Sequence, residues 1–222
     1  MLPPDPDDQA VQPGLFDEPP HRVPRPVAHV VLLCGPSGSG KTSLGRRLGL
    51  PVLALDHFYR DGDDPDLPRR FGIVDWDDVA SWDAAAATAA LVRLCAEGAG
   101  DVPVYDIPTS RRTGTARLDL AGARIVVAEG IFAPYLVGPC RDVGILADAL
   151  CLRLPPAVTF WRRLARDLAE ARKPPWTLVR RGLALARDEP RRVASWGAMG
   201  CRPVSPAGAE TAIRGVISAD MG

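Results

Sequence analysis

Asparagine is absent from the 222 residues and lysine nearly so, since Lys41 and Lys173 stand alone in a chain whose other strong bases are arginines. The first absence removes the Asn-Lys-x-Asp element with which GTPase switches read guanine. The second makes each lysine conspicuous. Cysteine is scarce and scattered: Cys34, Cys95, Cys140, Cys151 and Cys201 form no Cys-x-x-Cys pair and have no histidines nearby, which speaks against a zinc site and a secreted disulfide framework. They read as reduced, mostly core residues of a cytoplasmic protein. An excess of either charge is missing too, with 27 Lys+Arg against 27 Asp+Glu and a pI near 6.8. No basic field exists to recruit nucleic acid or an acidic membrane surface, so neither is expected as a partner. No run is long and apolar enough to span a bilayer, and the opening Pro3, Pro4, Asp5, Asp7 and Asp8 are unlike a secretory signal.

What is present suits one α/β domain. Hydrophobic residues make up 46% of the chain, enough for one substantial core. Residues 1–27 are rich in Pro, Asp and Glu and read as a flexible tail, leaving 28–222 as the folded domain. From Val27 onward short apolar runs alternate with helical segments, which predicts a mostly parallel sheet covered on both faces. Strands are expected at Val30–Cys34, Val52–Leu55, Val102–Tyr105, Ile125–Ala128 and Leu150–Leu152, the last being the final central strand. Ser81 is expected to cap a helix from Trp82 to about Cys95. Helices are also expected from about 156 to Ala171 and from Thr177 to about Asp188, with an irregular C-terminus past Gly200. Asp119-Leu120-Ala121-Gly122 reads as a turn.

The strongest local signal is Gly35-Pro36-Ser37-Gly38-Ser39-Gly40-Lys41-Thr42-Ser43, directly after the apolar run Val30 to Cys34. Glycines let successive backbone N–H groups point into one cavity and surround phosphate oxygens. Lys41 supplies a point charge to the outer phosphates, and Thr42 offers a hydroxyl to Mg²⁺. The following helix, with Leu44 and Leu48 on one face and Gly49 and Pro51 closing it, turns its positive end toward the same anion. Asp56, Asp106 and Glu129 are expected at strand ends on the edge that carries this loop, where ligands of open α/β sheets bind.

These residues, with Leu55-Asp56-His57-Phe58-Tyr59-Arg60, the segment from Trp76-Asp77 to Trp82-Asp83, Pro103-Val104-Tyr105-Asp106, Glu129-Gly130-Ile131 and Arg162 to Asp167, resemble the uridine kinase family of P-loop kinases, related to phosphoribulokinase and pantothenate kinase. The resemblance implies a doubly wound P-loop NTPase sheet with a helical lid at about 156–176. It also implies ATP and Mg²⁺ as cofactors, and transfer of the γ-phosphate to the 5′-hydroxyl of uridine or cytidine. Asp56 would accept the proton of the attacking hydroxyl, and Glu129 would hold Mg²⁺ through water beside Thr42. Tyr59, Trp76, Asp77 and Tyr105 would line the nucleoside, although Val74 and Val79 beside Trp76 also suit simple packing. Arg163, Arg166 and Lys173 fall in the lid, with Arg166 the leading candidate to meet the transferring phosphoryl group; a solvated helix face is the other reading.

The sequence departs from the family after Tyr105-Asp106. A histidine that contacts the pyrimidine is usual there, and this chain has Ile107-Pro108-Thr109-Ser110-Arg111-Arg112. Arg111 presents only donors and suits a carboxylate or phosphate better than uracil. The acceptor thus stays open between a pyrimidine nucleoside and another small alcohol such as a sugar, vitamin precursor or modified nucleoside. A non-catalytic nucleotide-binding module is the remaining alternative, and self-association as a homo-oligomer also stays open.

Overall fold

The computed structural model describes residues 23, 25–36, 39–70, 72–154 and 191–220. The chain forms β1 (His29–Cys34), α1 (Lys41–Arg47), β2 (Val52–Ala54), a 3-10 turn (Leu55–Phe58), the short strands β3 (Arg69–Arg70) and β4 (Ile73–Val74), then α2 (Ala84–Glu97), β5 (Ala99–Asp106) and β6 (Arg111–Asp119). It continues through β7 (Ile125–Glu129), α3 (Val137–Asp142), β8 (Leu146–Leu152), β9 (Arg202–Val204) and α4 (Pro206–Asp220). The expected tail, apart from Val23 and residues 25–27, and the expected lid helices lie outside the described residues, as do Ser37 and Gly38 of the glycine-rich loop.

Five strands form a parallel sheet in the order β2-β7-β1-β8-β9. Both faces are covered, so β1 and β7 are buried nearly end to end and read as continuous apolar runs. The period of two splits them between two cores. Val30, Leu32, Cys34, Val126 and Ala128 face α2 and α3, meeting Leu91, Leu94, Cys95, Val137 and Cys140. Val31, Leu33, Ile125 and Val127 face α1 and α4, meeting Leu44, Ala209 and Ile213. All five cysteines are buried free thiols; burial pushes Cys95 up to about 12, which keeps it protonated and inert at neutral pH.

Several expectations need correction. The helix cap is Asp83, whose carboxylate accepts from the Ala86 N–H at 2.8 Å, while the buried Ser81 hydroxyl donates to the Asp78 carbonyl. The second strand stops at Ala54, because Leu55 already enters the 3-10 turn. Val102–Tyr105 belongs to the longer β5, which pairs only with β6 in a separate antiparallel hairpin. Asp106 therefore sits at the hairpin tip, where its carboxylate takes the Thr109 N–H and hydroxyl, and not on the edge of the main sheet. The C-terminus is regular: β9 adds a fifth strand beyond β8, and α4 covers the face over Leu33 and Leu150. Asp119–Gly122 is a turn as expected, closed by Asp119 accepting from the Ala121 N–H at 2.7 Å. Val23, assigned to the tail by composition, donates its N–H to the Val143 carbonyl at 2.9 Å.

Helix α1 lies tight on β2. A Cβ built at Gly45 would come within 2.4 Å of Val52 Cγ2, a stiff β-branched methyl with little room to yield. Gly45→Ala should lower stability by about 1–3 kcal/mol despite its better helix propensity, as over-packing does. Thermal denaturation of Gly45→Ala, Val52→Ala and the double variant checks this: the pair should be less destabilised than the sum of the single changes.

Candidate active site

Register builds the site. Leu33 on β1 and Ala54 on β2 both pair with Glu129, the last residue of the strand between them. Three strands therefore end together, and the chain beyond each delivers Gly35, Asp56 and Gly130 to one edge. Gly130 must be small, since a Cβ there would meet Leu55 Cβ at 2.9 Å and Asp56 Oδ1 at 3.4 Å. The turn bearing Asp56 thus lies against the end of β7. Behind it the buried Trp82 indole N–H donates to the Leu55 carbonyl at 2.8 Å.

In the glycine-rich loop, Gly35 (φ 144°) and Gly40 (φ 91°) take conformations that disfavour a side chain. Lys41 Nζ donates to the Gly35 and Pro36 carbonyls at 2.9 and 3.2 Å, placing the ammonium across the loop. Ser39 Oγ is buried with no partner among the described residues, an orphan hydroxyl of the kind a ligand oxygen satisfies. Thr42 Oγ1 donates to Glu129 Oε1 at 2.5 Å. A hydroxyl and a carboxylate side by side suit a hard cation that completes its shell with water and phosphate oxygens.

Lys41, Glu129 and Asp56 act on one another electrostatically. Burial lowers the Lys41 pKa, and the Glu129 and Asp56 carboxylates oppose that shift. Asp56 reaches solvent through the open edge, but protein packs its other sides. Burial raises its pKa above the ordinary 3.8; Glu129 adds to the rise, while Lys41 opposes it.

Next to this centre stands an aromatic cluster. Tyr59 meets Trp76 edge-on with ring centroids 5.5 Å apart, and lies 5.9 Å from both Tyr105 and Phe132. Its hydroxyl donates to the Trp76 carbonyl, and that of Tyr105 to the Arg60 carbonyl. Asp77 is exposed and paired with Arg192 at 3.3 Å. Arg111 is bound to Asp63 at 2.6 Å on the hairpin's exposed tip. Among the described residues, Lys41, Thr42, Asp56 and Glu129 form one group, with Tyr59, Trp76 and Tyr105 beside it. Arg111 and Asp77 are engaged elsewhere. Arg163, Arg166 and Lys173 lie outside the described residues. Sequence reasoning gave no part to His57 or Arg192, because their partners Tyr105 and Asp77 are distant in the chain and no local spacing marks either contact.

No protein-family model matches the chain. It is 32% identical over 161 residues to a protein named uridine kinase from Schizosaccharomyces pombe, covering 68% of this chain and 33% of that protein. A uridine kinase from Saccharomyces cerevisiae is 29% identical over 153 residues, covering 63% and 29%. The chain thus spans about a third of the length of these curated relatives. Two solved structures share the fold. One, from Silicibacter sp. TM1040, is proposed to be a fructose transport system kinase (TM-score 0.53, 20% identity, covering 81% of this chain and 88% of that one). The other, from Saccharomyces cerevisiae, is proposed to be a P-loop containing kinase with a circular permutation (TM-score 0.59, 11% identity, covering 83% and 94%). No helix among the described residues is long and apolar enough to cross a membrane.

A carboxyl whose pKa is raised by folding is penalised when ionised. For Asp56 the penalty grows as pH climbs from 3.8 through the raised value, and is constant above it. Asp56→Asn should therefore raise the melting temperature of the ligand-free protein at neutral pH. The gain should disappear below about pH 3.8. Thermal denaturation across pH reads both effects, and an unchanged or lower melting temperature at neutral pH would contradict the assigned environment.

Proposed function

Because this chain is a distant member of the uridine kinase-like P-loop kinases, we propose that it is an ATP-dependent phosphotransferase acting on a primary hydroxyl, with the 5′-hydroxyl of a pyrimidine nucleoside as the favoured acceptor. The observation that carries this reading is the placement of Asp56 against the end of β7, beside Glu129 and within the field of Lys41. A protein that only held a nucleotide would have no use for a carboxylate of raised basicity at that point. Asp56 takes the proton of the attacking hydroxyl, and its raised pKa moves it toward the range in which a base works well. Lys41 and the loop amides bind the donor phosphates.

Thr42 and Glu129 would hold Mg²⁺, which when bound supplies charge neutralisation at the phosphates. Tyr59, Trp76 and Tyr105 offer an aromatic wall for a base or other flat group. Arg163 and Arg166 would bring positive charge over the transferring group and help exclude water. Domain assignment follows the same reading: a kinase domain over 28–222, with Val23 and Val27 of the 1–27 segment bonded to it.

A second acceptor class is favoured by one feature. Arg111, the guanidinium nearest the position where the resemblance expects a base-reading histidine, is bound to Asp63. A smaller alcohol that does not need base recognition fits that arrangement.

An ATP-consumption assay against nucleosides, sugars and pantothenate-like alcohols tests both. Turnover of uridine or cytidine is expected; failure of both with turnover of another alcohol would move the assignment to the second class. Asp56→Asn should keep ATP binding and lower kcat by about 10²- to 10⁴-fold, the usual worth of a positioned base. Near-parental turnover would remove Asp56 from that role.

A further inference from the structure

The hairpin ladder is interrupted at one place. Val104 pairs with Gly114 and Tyr105 with Arg112, so Thr113 is an extra residue on β6 and the register shifts there. Tyr105 N–H donates to His57 Nδ1 at 2.9 Å. An amide N–H can only donate, so Nδ1 is the acceptor and the ring carries its proton on Nε2. His57 directly follows Asp56 in the same 3-10 turn. That turn is braced from behind by the Trp82 indole and by the close approach of Gly130.

The hairpin then stays attached along the following loop. Gly62 N–H donates to the Ser110 carbonyl at 2.7 Å, Arg112 N–H donates to Asp61 at 2.7 Å, and the Tyr105 hydroxyl donates to the Arg60 carbonyl at 3.1 Å. Of these bonds, only that of His57 joins the hairpin to the turn that bears Asp56. Tyr105 also packs on Tyr59, three residues beyond Asp56. The donor side has a different support, because β5 and β6 do not pair with the main sheet that holds Lys41, Thr42 and Glu129.

We propose that His57 is a positioning residue for the acceptor: through Nδ1 it fixes β5, opposite the bulge at Thr113, to the Asp56 turn and so sets the spacing between Asp56 and the Tyr59–Tyr105 aromatic wall. The proposal rests on the phosphotransfer reading above. Its chemistry is particular to an acceptor atom at one place in the side chain. Asparagine also carries an acceptor oxygen on Cγ, where histidine carries Nδ1, and leucine has none.

The test is steady-state kinetics of the full chain, its His57→Leu and His57→Asn variants, with the acceptor found by the panel assay, together with hydrogen exchange at the Tyr105 amide. His57→Leu should raise the acceptor KM by between about tenfold and a hundredfold, the scale of a lost bond or a misplaced reacting group. The KM for ATP should stay unchanged and the Tyr105 amide should exchange faster. His57→Asn should return both readings close to the parent's. Should His57→Leu not fold, His57→Phe keeps a ring without an acceptor and takes its place. An unchanged acceptor KM, a parallel rise in the KM for ATP, or an asparagine variant no better than leucine would overturn the proposal while leaving phosphotransfer intact. A parent that phosphorylates no acceptor defeats the phosphotransfer reading itself, and this proposal with it.

Discussion

The pairing of Glu129 with Leu33 on one side and Ala54 on the other is the constraint from which the site's geometry follows. In a parallel sheet a slip of one residue turns every side chain to the opposite face, and here it would exchange the residues that fill the two separate cores. That register ends three neighbouring strands at one level. Thr42 can then reach Glu129 across 87 positions of sequence, and the Asp56 turn can lie against Gly130. The energy that fixes these polar groups comes from Val30 to Cys34 and Ile125 to Ala128, whose burial on both faces leaves them no alternative partner.

Two supports of unlike kind meet at the site. The phosphate loop, Thr42 and Glu129 belong to the central sheet, with a packed core above and below. The aromatic wall belongs partly to a hairpin that stands outside the sheet, packs on the core through Val102 and Leu118, and is joined to residues 57–63 by individual hydrogen bonds. The hairpin forms no ladder with the sheet, so the register that fixes Thr42 and Glu129 does not run through it.

The parts legible in the sequence were those whose cause is local. Apolar runs gave β1 and β7, and the glycine spacing gave the loop and its helix. The turn at Asp119–Gly122 was likewise clear. Strand β6 was not legible: Arg111–Asp119 has almost no buried residue and owes its form to pairing with β5. Strand β9 was hidden for a related reason, being three residues including Pro203 that become a strand only against β8. The site divides in the same way. Lys41, Thr42, Asp56 and Glu129 carry local signatures, while the attachment of His57 to Tyr105 and of Arg192 to Asp77 joins residues 48 and 115 positions apart.

The fifth strand and its helix have a consequence for how the chain is made. Leu150 waits for Arg202, and the face of Leu33 and Leu150 is covered only by α1 and its flanking residues until residues 206–220 are made. Contacts so distant in sequence form late and leave apolar surface open to other molecules in the meantime. Synthesis of this protein therefore passes through a stage in which the phosphate loop's strand is already made and one side of it is only half covered.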